Sequence, residues 1–198
     1  MPIVETEKIL FIHIPKCGGT TIEDFFNRNG FRVSFYSTAP GRDFINNHSP
    51  QHCTFKELKE LDLIKDDWKI FTIVRNPLDR IKSEYSWLIK HRRNKNFQTI
   101  DEFLNIFLDK NNKIFDNHNL SCSDFLMNKN NIISPKIKIF NFFDTKSIEK
   151  YLDLKDLSNY HSNKSQSEKI TFNDNQIKKI MDFYQDDYIN LQNFFKNE

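Results

Sequence analysis

Residues 8–27 read KILFIHIPKCGGTTIEDFFN and carry three structural signals in succession. The apolar run from Lys8 to Ile14 is typical of a strand that is buried on both faces of a parallel sheet. A proline and a glycine pair end this run, and the residues from Thr20 to Asn27 place their apolar side chains on one face of a helix. The order of strand, glycine-rich turn and helix predicts an α/β protein.

The glycine-rich turn, PKCGGTT at residues 15–21, is a candidate anion site. Backbone N–H groups and the helix dipole converge at the start of a helix, and glycines let the backbone approach a ligand closely. A lysine and two threonines add a mobile positive charge and hydroxyl donors. An ordinary strand-to-helix turn with an exposed lysine is the alternative interpretation. We predict phosphate contacts from Lys16, Cys17, Gly18, Gly19, Thr20 and Thr21.

A second motif, FTIVRNPLDRIKSEY at residues 71–85, follows the next buried strand. It places Arg75 at the carboxyl end of that strand and Ser83 two turns into the helix that follows. The carboxyl ends of parallel strands line the ligand crevice, so Arg75 can face the same ligand as Lys16. A guanidinium binds a phosphate through two hydrogen bonds, and a serine hydroxyl can donate to the same group. Arg80, on the same helix, is interpreted as a solvated or salt-bridged surface residue.

The rest of the chain alternates between strand and helix patterns. Strands are predicted at 31–36, 69–74 and 136–142, and helices at 54–63, 77–92, 99–108, 119–127, 147–152 and 174–195. Three segments, 37–53, 109–118 and 158–171, are predicted to be polar loops, the last two of them flexible. No domain linker separates these elements, and 198 residues suit one domain, so we predict a single domain over 1–198.

Composition excludes several classes of protein. The 29 basic and 27 acidic residues nearly cancel, so no overall field attracts nucleic acid. The three cysteines, Cys17, Cys53 and Cys122, form no CxxC pair, and no His or carboxylate spacing is typical of a metal site. No leader-like apolar region begins the chain, and no run approaches the roughly 18 apolar residues of a membrane span. We therefore expect a soluble, cytoplasmic protein without a metal site.

Together, the two motifs resemble the paired cofactor-binding motifs of the carbohydrate-type, family 2-like sulfotransferases. These enzymes use 3′-phosphoadenosine 5′-phosphosulfate (PAPS). The resemblance extends over most of the chain. Further similar stretches are HCTFKEL at 52–58, KIFNFFD at 138–144, HSNKS at 161–165 and the terminal helix at 184–194. Cys17 stands where threonine is frequent in the group, but there the backbone N–H makes the contact.

This resemblance implies a P-loop-type three-layer fold, with a central, mainly parallel sheet flanked by helices. It implies a PAPS-dependent sulfotransferase that sulfates a hydroxyl of an acceptor, either a carbohydrate or a small hydroxyl compound. The implied ligand contacts fall into three groups: Lys16 and the backbone of 17–21 for the 5′-phosphosulfate, Arg75 and Ser83 for the 3′-phosphate, and Lys164 and Ser165 over the nucleotide. Lys16 would also act in catalysis, because a cation on the leaving oxygen stabilises its charge.

Sulfuryl transfer to a hydroxyl also needs a general base, and the pKa of histidine suits this role near neutral pH. We predict His52, because it begins the stretch that resembles the family, with His48 in reserve. His13 lies within the first predicted strand and is interpreted as a packed, hydrogen-bonded residue. His91, His118 and His161 have no sequence context that favours catalysis, although His161 can line the site through its loop.

Two other functions remain open at the level of sequence. A small-molecule kinase shares the strand, loop and helix, but the lysine precedes the glycines, unlike the GxxxxGKS/T pattern. A kinase also needs Mg²⁺ ligands, often an aspartate at a strand end, where this chain has Arg75. The second alternative is an inactive nucleotide- or glycan-binding module. The presence of Lys16, Arg75, Ser83 and His52 together favours an active enzyme.

Overall fold

The computed structural model describes residues 3–35, 48–91, 96–142, 144–159 and 170–195. Its strands are β1 (Ile3–Val4), β2 (Ile9–Ile12), β3 (Val33–Ser34), β4 (Lys69–Val74) and β5 (Ile137–Asn141). Its α-helices are α1 (Gly19–Arg28), α2 (Phe55–Glu60), α3 (Pro77–Lys90), α4 (Ile100–Phe107), α5 (Cys122–Leu126), α6 (Thr145–Leu152), α7 (Asp174–Phe183) and α8 (Gln185–Leu191). None of these helices is long and apolar enough to span a membrane.

The strands form one sheet in the order β3-β1-β2-β4-β5. The three strands β2, β4 and β5 run parallel, with Ile9 opposite Lys69 and Ile70 opposite Ile137. Strands β1 and β3 extend the sheet at one edge as antiparallel neighbours. The predicted α/β class with a mainly parallel centre is therefore confirmed. Strand β1 is too short to give a sequence signal, and β3 covers only two residues of the strand predicted at 31–36.

Helices cover both faces of this sheet, as the three-layer prediction requires. Successive residues of a strand point to opposite faces. Leu10 and Ile12 of β2 accordingly join a core cluster that contains residues of α2, α5 and α8. Ile9 and Phe11 of the same strand join a second cluster, which contains residues of α1 and α6. The central strands are thus buried on both faces, which explains their nearly continuous apolar sequences.

A third core cluster, built from α3, α4 and α7, lies beside the sheet and contains the buried ring of Tyr184. The single helix predicted over 174–195 is wrong, because the chain bends at Tyr184 between α7 and α8. The bend lets the Tyr184 hydroxyl donate to the backbone carbonyl of Asn119 at 3.0 Å. It also places the buried Asp187 where its carboxylate accepts two backbone N–H groups at the start of α5, at 2.9 and 2.7 Å.

The segment 109–118, predicted as a flexible polar loop, is folded into the protein. It contains a short 3₁₀ helix, Lys113–Phe115, and the buried Asn117, whose amide donates to the carbonyl of His52 at 3.1 Å. Asn119 just beyond it is also buried and donates to two backbone carbonyls of the same segment. These polar side chains form hydrogen bonds to backbone groups inside the protein. A polar composition alone does not distinguish such buried side chains from solvent-exposed ones.

Candidate functional site

The loop between β2 and α1 has a backbone that depends on its glycines. Gly18 has a φ of 84°, in the left-handed region, and a Cβ there would lie 3.0 Å from the ring of Phe142. A Cβ on Gly19 would lie 2.2 Å from Nε2 of His13. Among the described residues, no side chain caps the ten-residue helix α1, and its first turn holds no acidic residue. The N–H of Thr21 donates to the carbonyl of Gly18 at 3.0 Å, so the N–H groups of Gly19 and Thr20 are the candidates for anion binding at the start of α1.

Lys16 stands at the centre of this loop and is half-buried. Its Nζ lies 5.1 Å from the centre of the Trp87 ring, which belongs to α3. Burial and the nearby charge of Arg75 lower the pKa of Lys16, while the carboxylate of Glu84 acts in the opposite direction. The ammonium group is thus incompletely compensated by the protein, so a bound anion would stabilise its charged form.

Arg75 follows β4, and its guanidinium lies 4.5 Å from the centre of the Phe142 ring. The same ring lies against Gly18, so Phe142 links Arg75 to the loop. Thus the carboxyl ends of β2 and β4 bring Lys16 and Arg75 to one place, as the parallel arrangement predicts. Ser83 is half-buried on α3. Lys164, Ser165 and His161 lie outside the described residues.

The side chain of Cys17 is turned into the core and hydrogen-bonded to Cys122, and its backbone N–H, predicted to contact phosphate, donates instead to the carbonyl of Ile14 at 3.3 Å. Burial would raise the pKa of Cys17, but this hydrogen bond and the charges of Arg80 and Arg75 lower it. Of the two predicted threonines, Thr20 is exposed and Thr21 half-buried.

His52 ends a 3₁₀ helix, Pro50–His52, and only 4% of its side chain is exposed. Its Nδ1–H donates to Asp116 at 2.8 Å, and the amide of Gln51 donates to its Nε2 at 3.2 Å. Burial, together with the charges of two neighbouring histidines, holds the pKa of His52 well below its usual value despite Asp116. At neutral pH the ring is therefore neutral.

Asp116 is the partner that fixes the His52 ring. It also accepts hydrogen bonds from the backbone N–H of Ser49 and, at 2.7 Å, from the hydroxyl of Ser49. Burial alone would raise the pKa of Asp116, but the hydrogen bonds from His52 and Ser49 hold it well below the usual range. Asp116 is therefore a carboxylate, and its charge favours the Nδ1–H tautomer of His52.

His48, the reserve base, is fully buried with both ring nitrogens engaged. Nδ1 donates to the carbonyl of Ser49 and Nε2 contacts the carboxylate of Glu57, each at 2.9 Å. Burial would lower the pKa of His48, but these two partners raise it. The arrangement is that of a buried ion pair that ties the segment before His52 to helix α2.

A third histidine, His118, lies beside His52, although its sequence context offered no reason to expect it there. The two rings meet edge to face with their centres 4.8 Å apart. Nδ1–H of His118 donates to Glu84 on α3 at 2.8 Å. Burial would raise the pKa of Glu84, but the charge of His118 and its hydrogen bond, followed by Lys16, lower it. Glu84 thus connects His118 electrostatically to the lysine of the loop.

His13, at the end of β2, completes a row of three imidazoles. It is buried and hydrogen-bonded to Glu23 at 2.5 Å, as the sequence interpretation proposed. Its ring meets that of His52 edge to face at 5.3 Å. The order His13, His52 and His118 therefore runs from the glycine loop to α3, and each ring has its own carboxylate partner.

Arg80 is wholly buried, so its interpretation as a surface residue is wrong. Its guanidinium donates to three backbone carbonyls: Pro15 at 3.0 Å, Leu120 at 2.7 Å and His118 at 2.8 Å. One side chain on α3 therefore joins the start of the loop between β2 and α1 to the segment that carries His118. The carbonyls lie in irregular backbone, where no helix or sheet supplies their hydrogen-bond donors.

Two groups of side chains also have the geometry to approach a metal ion, although the sequence spacing predicted none. They are His48, Cys53 and Glu57, and His52, Asp116 and His118, with ligand atoms within 4.8 Å of one another. In both groups, hydrogen bonds already join the histidines to carboxylates. Burial and the charge of Glu57 raise the pKa of Cys53 to about 12, which keeps this thiol protonated.

Comparison with models of protein families finds a match to one family. A family model described as "Sulfotransferase family" matches residues 2–192. The match covers both motifs, the loop, the three histidines and helices α1 to α8. No curated protein and no solved structure matches the chain.

Proposed function

The chain belongs to the sulfotransferase family, and from this premise we propose that it transfers a sulfuryl group from PAPS to a hydroxyl of a carbohydrate or small hydroxyl compound. The observation that carries this proposal is the position of Lys16. This lysine lies in a glycine-dependent loop at a helix start, near Arg75 and near Glu84, the carboxylate that holds His118. Such a place combines anion binding with proton removal.

The residues of the loop fit the donor. The uncapped start of α1 supplies N–H donors, and Lys16 supplies a charge that burial leaves in need of an anion. Arg75 would bind a second phosphate, with Ser83, Lys164 and Ser165 as predicted further contacts. When bound, PAPS supplies an activated sulfuryl group on a phosphate leaving group. Lys16 then acts by stabilising the negative charge that grows on the leaving oxygen.

A histidine held by a carboxylate takes the proton of the acceptor hydroxyl. In the balanced reaction, the acceptor oxygen bonds to sulfur, the bond from sulfur to the phosphate oxygen breaks, and the proton passes to an imidazole. A general base contributes typically 10²–10⁴-fold to such a rate. His52 is the residue that the sequence predicts, and its bond to Asp116 leaves Nε2 as the basic atom. The His118–Glu84 pair meets the same chemical requirement.

Calorimetry with 3′-phosphoadenosine 5′-phosphate (PAP), the product nucleotide, tests the donor site. We expect PAP to bind, and we expect Lys16→Ala and Arg75→Ala to weaken it at least about tenfold, since each removes a charged contact. Lys82→Ala is the matched control, because Lys82 is a partly exposed cation on α3. Failure of PAP to bind, together with Mg²⁺-dependent binding of ATP, would refute the proposal and favour the kinase. Transfer of ³⁵S from labelled PAPS to a panel of sugars and phenols then identifies the acceptor class.

A further inference from the structure

His52 and His118, whose rings meet edge to face, differ in how well an acceptor can reach them. The side chain of His52 is 4% exposed and that of His118 is 16% exposed. Nε2 of His52 already accepts a hydrogen bond from Gln51. Among the described residues, the hydrogen bond of the His118 ring is the one from Nδ1 to Glu84. A general base must come within hydrogen-bond distance of the proton that it removes, which favours His118.

Glu84 gives the His118 ring the form that a base needs. Because Nδ1–H donates to this carboxylate at 2.8 Å, the neutral ring carries its lone pair on Nε2. Glu84 is itself buried, and its side chain is 3% exposed. A buried carboxylate next to the ring also stabilises the imidazolium that forms when the ring takes a proton. Glu84 is thus placed to fix the tautomer and to favour the protonated product.

Two residues, Trp87 and Glu84, connect His118 to the cation that would stabilise the leaving group. Lys16 lies 5.1 Å from the centre of the Trp87 ring, and the His118 ring lies 6.3 Å from the same centre. The charge of Glu84 acts on both Lys16 and His118. The guanidinium of Arg80 holds the carbonyl of His118 at 2.8 Å and so fixes its backbone. The base and the cation are therefore connected through shared neighbours.

We propose that His118 is a catalytic residue that contacts the acceptor hydroxyl and takes its proton on Nε2, with Glu84 as its positioning residue. This inference rests on the proposed sulfuryl transfer. The acceptor oxygen forms its bond to sulfur, the bond from sulfur to the phosphate oxygen of PAPS breaks, and PAP leaves. The proton moves from the acceptor oxygen to Nε2 and later to solvent. The His52 ring packs edge to face against the His118 ring.

Paired asparagine substitutions test this assignment in the full-length protein. Asparagine can keep a donor near the position of Nδ1 but has no basic nitrogen, so His118→Asn retains a partner for Glu84 and His52→Asn one for Asp116. PAP formation from PAPS, with water as the acceptor, measures turnover. We expect His118→Asn to lower it at least about 100-fold, within the range for a general base, and His52→Asn to lower it less than about fivefold. PAP affinity should change less than about threefold in both.

The positioning role of Glu84 has a readout that does not depend on turnover. Diethyl pyrocarbonate acylates accessible, neutral imidazole nitrogens, and peptide mass spectrometry locates the product. At pH 6 we expect His118 to be modified well before His52, and we expect Glu84→Gln to speed its modification severalfold, because the unreactive protonated ring loses the carboxylate that stabilises it. His91, which is exposed at the end of α3, provides the internal control, because its rate should be the same in both proteins.

Three results would overturn the inference: modification of His52 before His118, an unchanged rate in Glu84→Gln, or a larger loss of turnover in His52→Asn than in His118→Asn. The failure of the proposed function is a separate outcome. If wild-type protein does not bind PAP, sulfuryl transfer itself is refuted. If PAP binds and His118→Asn turns over PAPS within about fivefold of wild type, only the assignment of His118 is refuted.

Discussion

Replacing Arg80 by methionine should destabilise the protein strongly, although Arg80 touches no predicted ligand. Methionine matches much of the aliphatic part of the arginine side chain, so the change removes the guanidinium with little loss of packing. The guanidinium donates to the carbonyls of Pro15, Leu120 and His118 at distances of 3.0, 2.7 and 2.8 Å. These three bonds are lost together, and the carbonyls are left in a largely buried place.

The size of the effect follows from those three bonds. A hydrogen bond from a charged group contributes roughly 1.5–3 kcal/mol, so three give an upper figure of about 5–9 kcal/mol. The variant no longer buries a guanidinium, and the burial of an ion costs several kcal/mol. We therefore expect a net loss of about 3–5 kcal/mol from the free energy of unfolding, which is a large part of the roughly 5–15 kcal/mol of a typical protein. For a chain of this length, the loss corresponds to a fall in Tm of roughly 10–15 °C.

Urea unfolding followed by circular dichroism measures this free energy, and calorimetry with PAP measures the site. PAP affinity should fall as well, because Arg80 joins the loop between β2 and α1 to the segment of His118. Lys82→Met on the same helix is the control, and it should change the free energy of unfolding by no more than about 1 kcal/mol, because Lys82 is partly exposed and its ion pair with Asp79 is long, at 3.7 Å. A free energy for Arg80→Met within about 1 kcal/mol of wild type, with unchanged PAP affinity, would refute the reasoning.

Two further predictions concern the loop and the buried histidine. Gly19→Ala should abolish PAP binding and lower stability by about 2 kcal/mol, because the new Cβ would lie 2.2 Å from Nε2 of His13. Gly30→Ala is the matched control: its φ of 77° is strained for alanine but the space is open, so calorimetry should show unchanged PAP binding. Burial lowers the pKa of His52 from the ordinary 6.5, so the unfolded chain takes up the extra proton, and stability should fall as the pH drops below about 6.5. Between pH 7 and pH 5, the free energy of unfolding measured by urea titration should fall less for His52→Asn than for wild type. Equal falls in the two proteins would contradict the lowered pKa of His52.

The elements with strong local signals were predictable from the sequence. Strand β4 lies where its apolar run indicated, and helix α4 begins at the capping box formed by Thr99 and Glu102. The bend at Tyr184 was not predictable, because the helical pattern continues through it. What ends α7 there is burial of the Tyr184 ring, a tertiary contact that competes with local helix propensity.

The candidate site was predictable only where a motif marked it. The loop and Arg75 follow directly from strand, turn and helix signals. The partner of His52 does not follow from such signals, because Asp116 lies 64 residues away in a segment predicted to be a polar loop. His118 and the buried state of Arg80 were missed for the same reason, because a pattern along the chain contains no information about which distant carbonyl or carboxylate a side chain will meet.

The parallel pairing of β2 with β4 has a consequence for the order of events during synthesis. Thr72 donates to the carbonyl of Ile12, 60 residues earlier in the chain. Arg80, which donates to Pro15 at the start of the loop between β2 and α1, comes later still. The loop therefore leaves the ribosome long before its supports, and contacts so distant in sequence form slowly. An emerging chain therefore has the residues of this loop but not the framework that holds them. The proposed binding of PAPS should consequently arise late, after β4 and α3 have been made, so that half-made chains do not capture the donor.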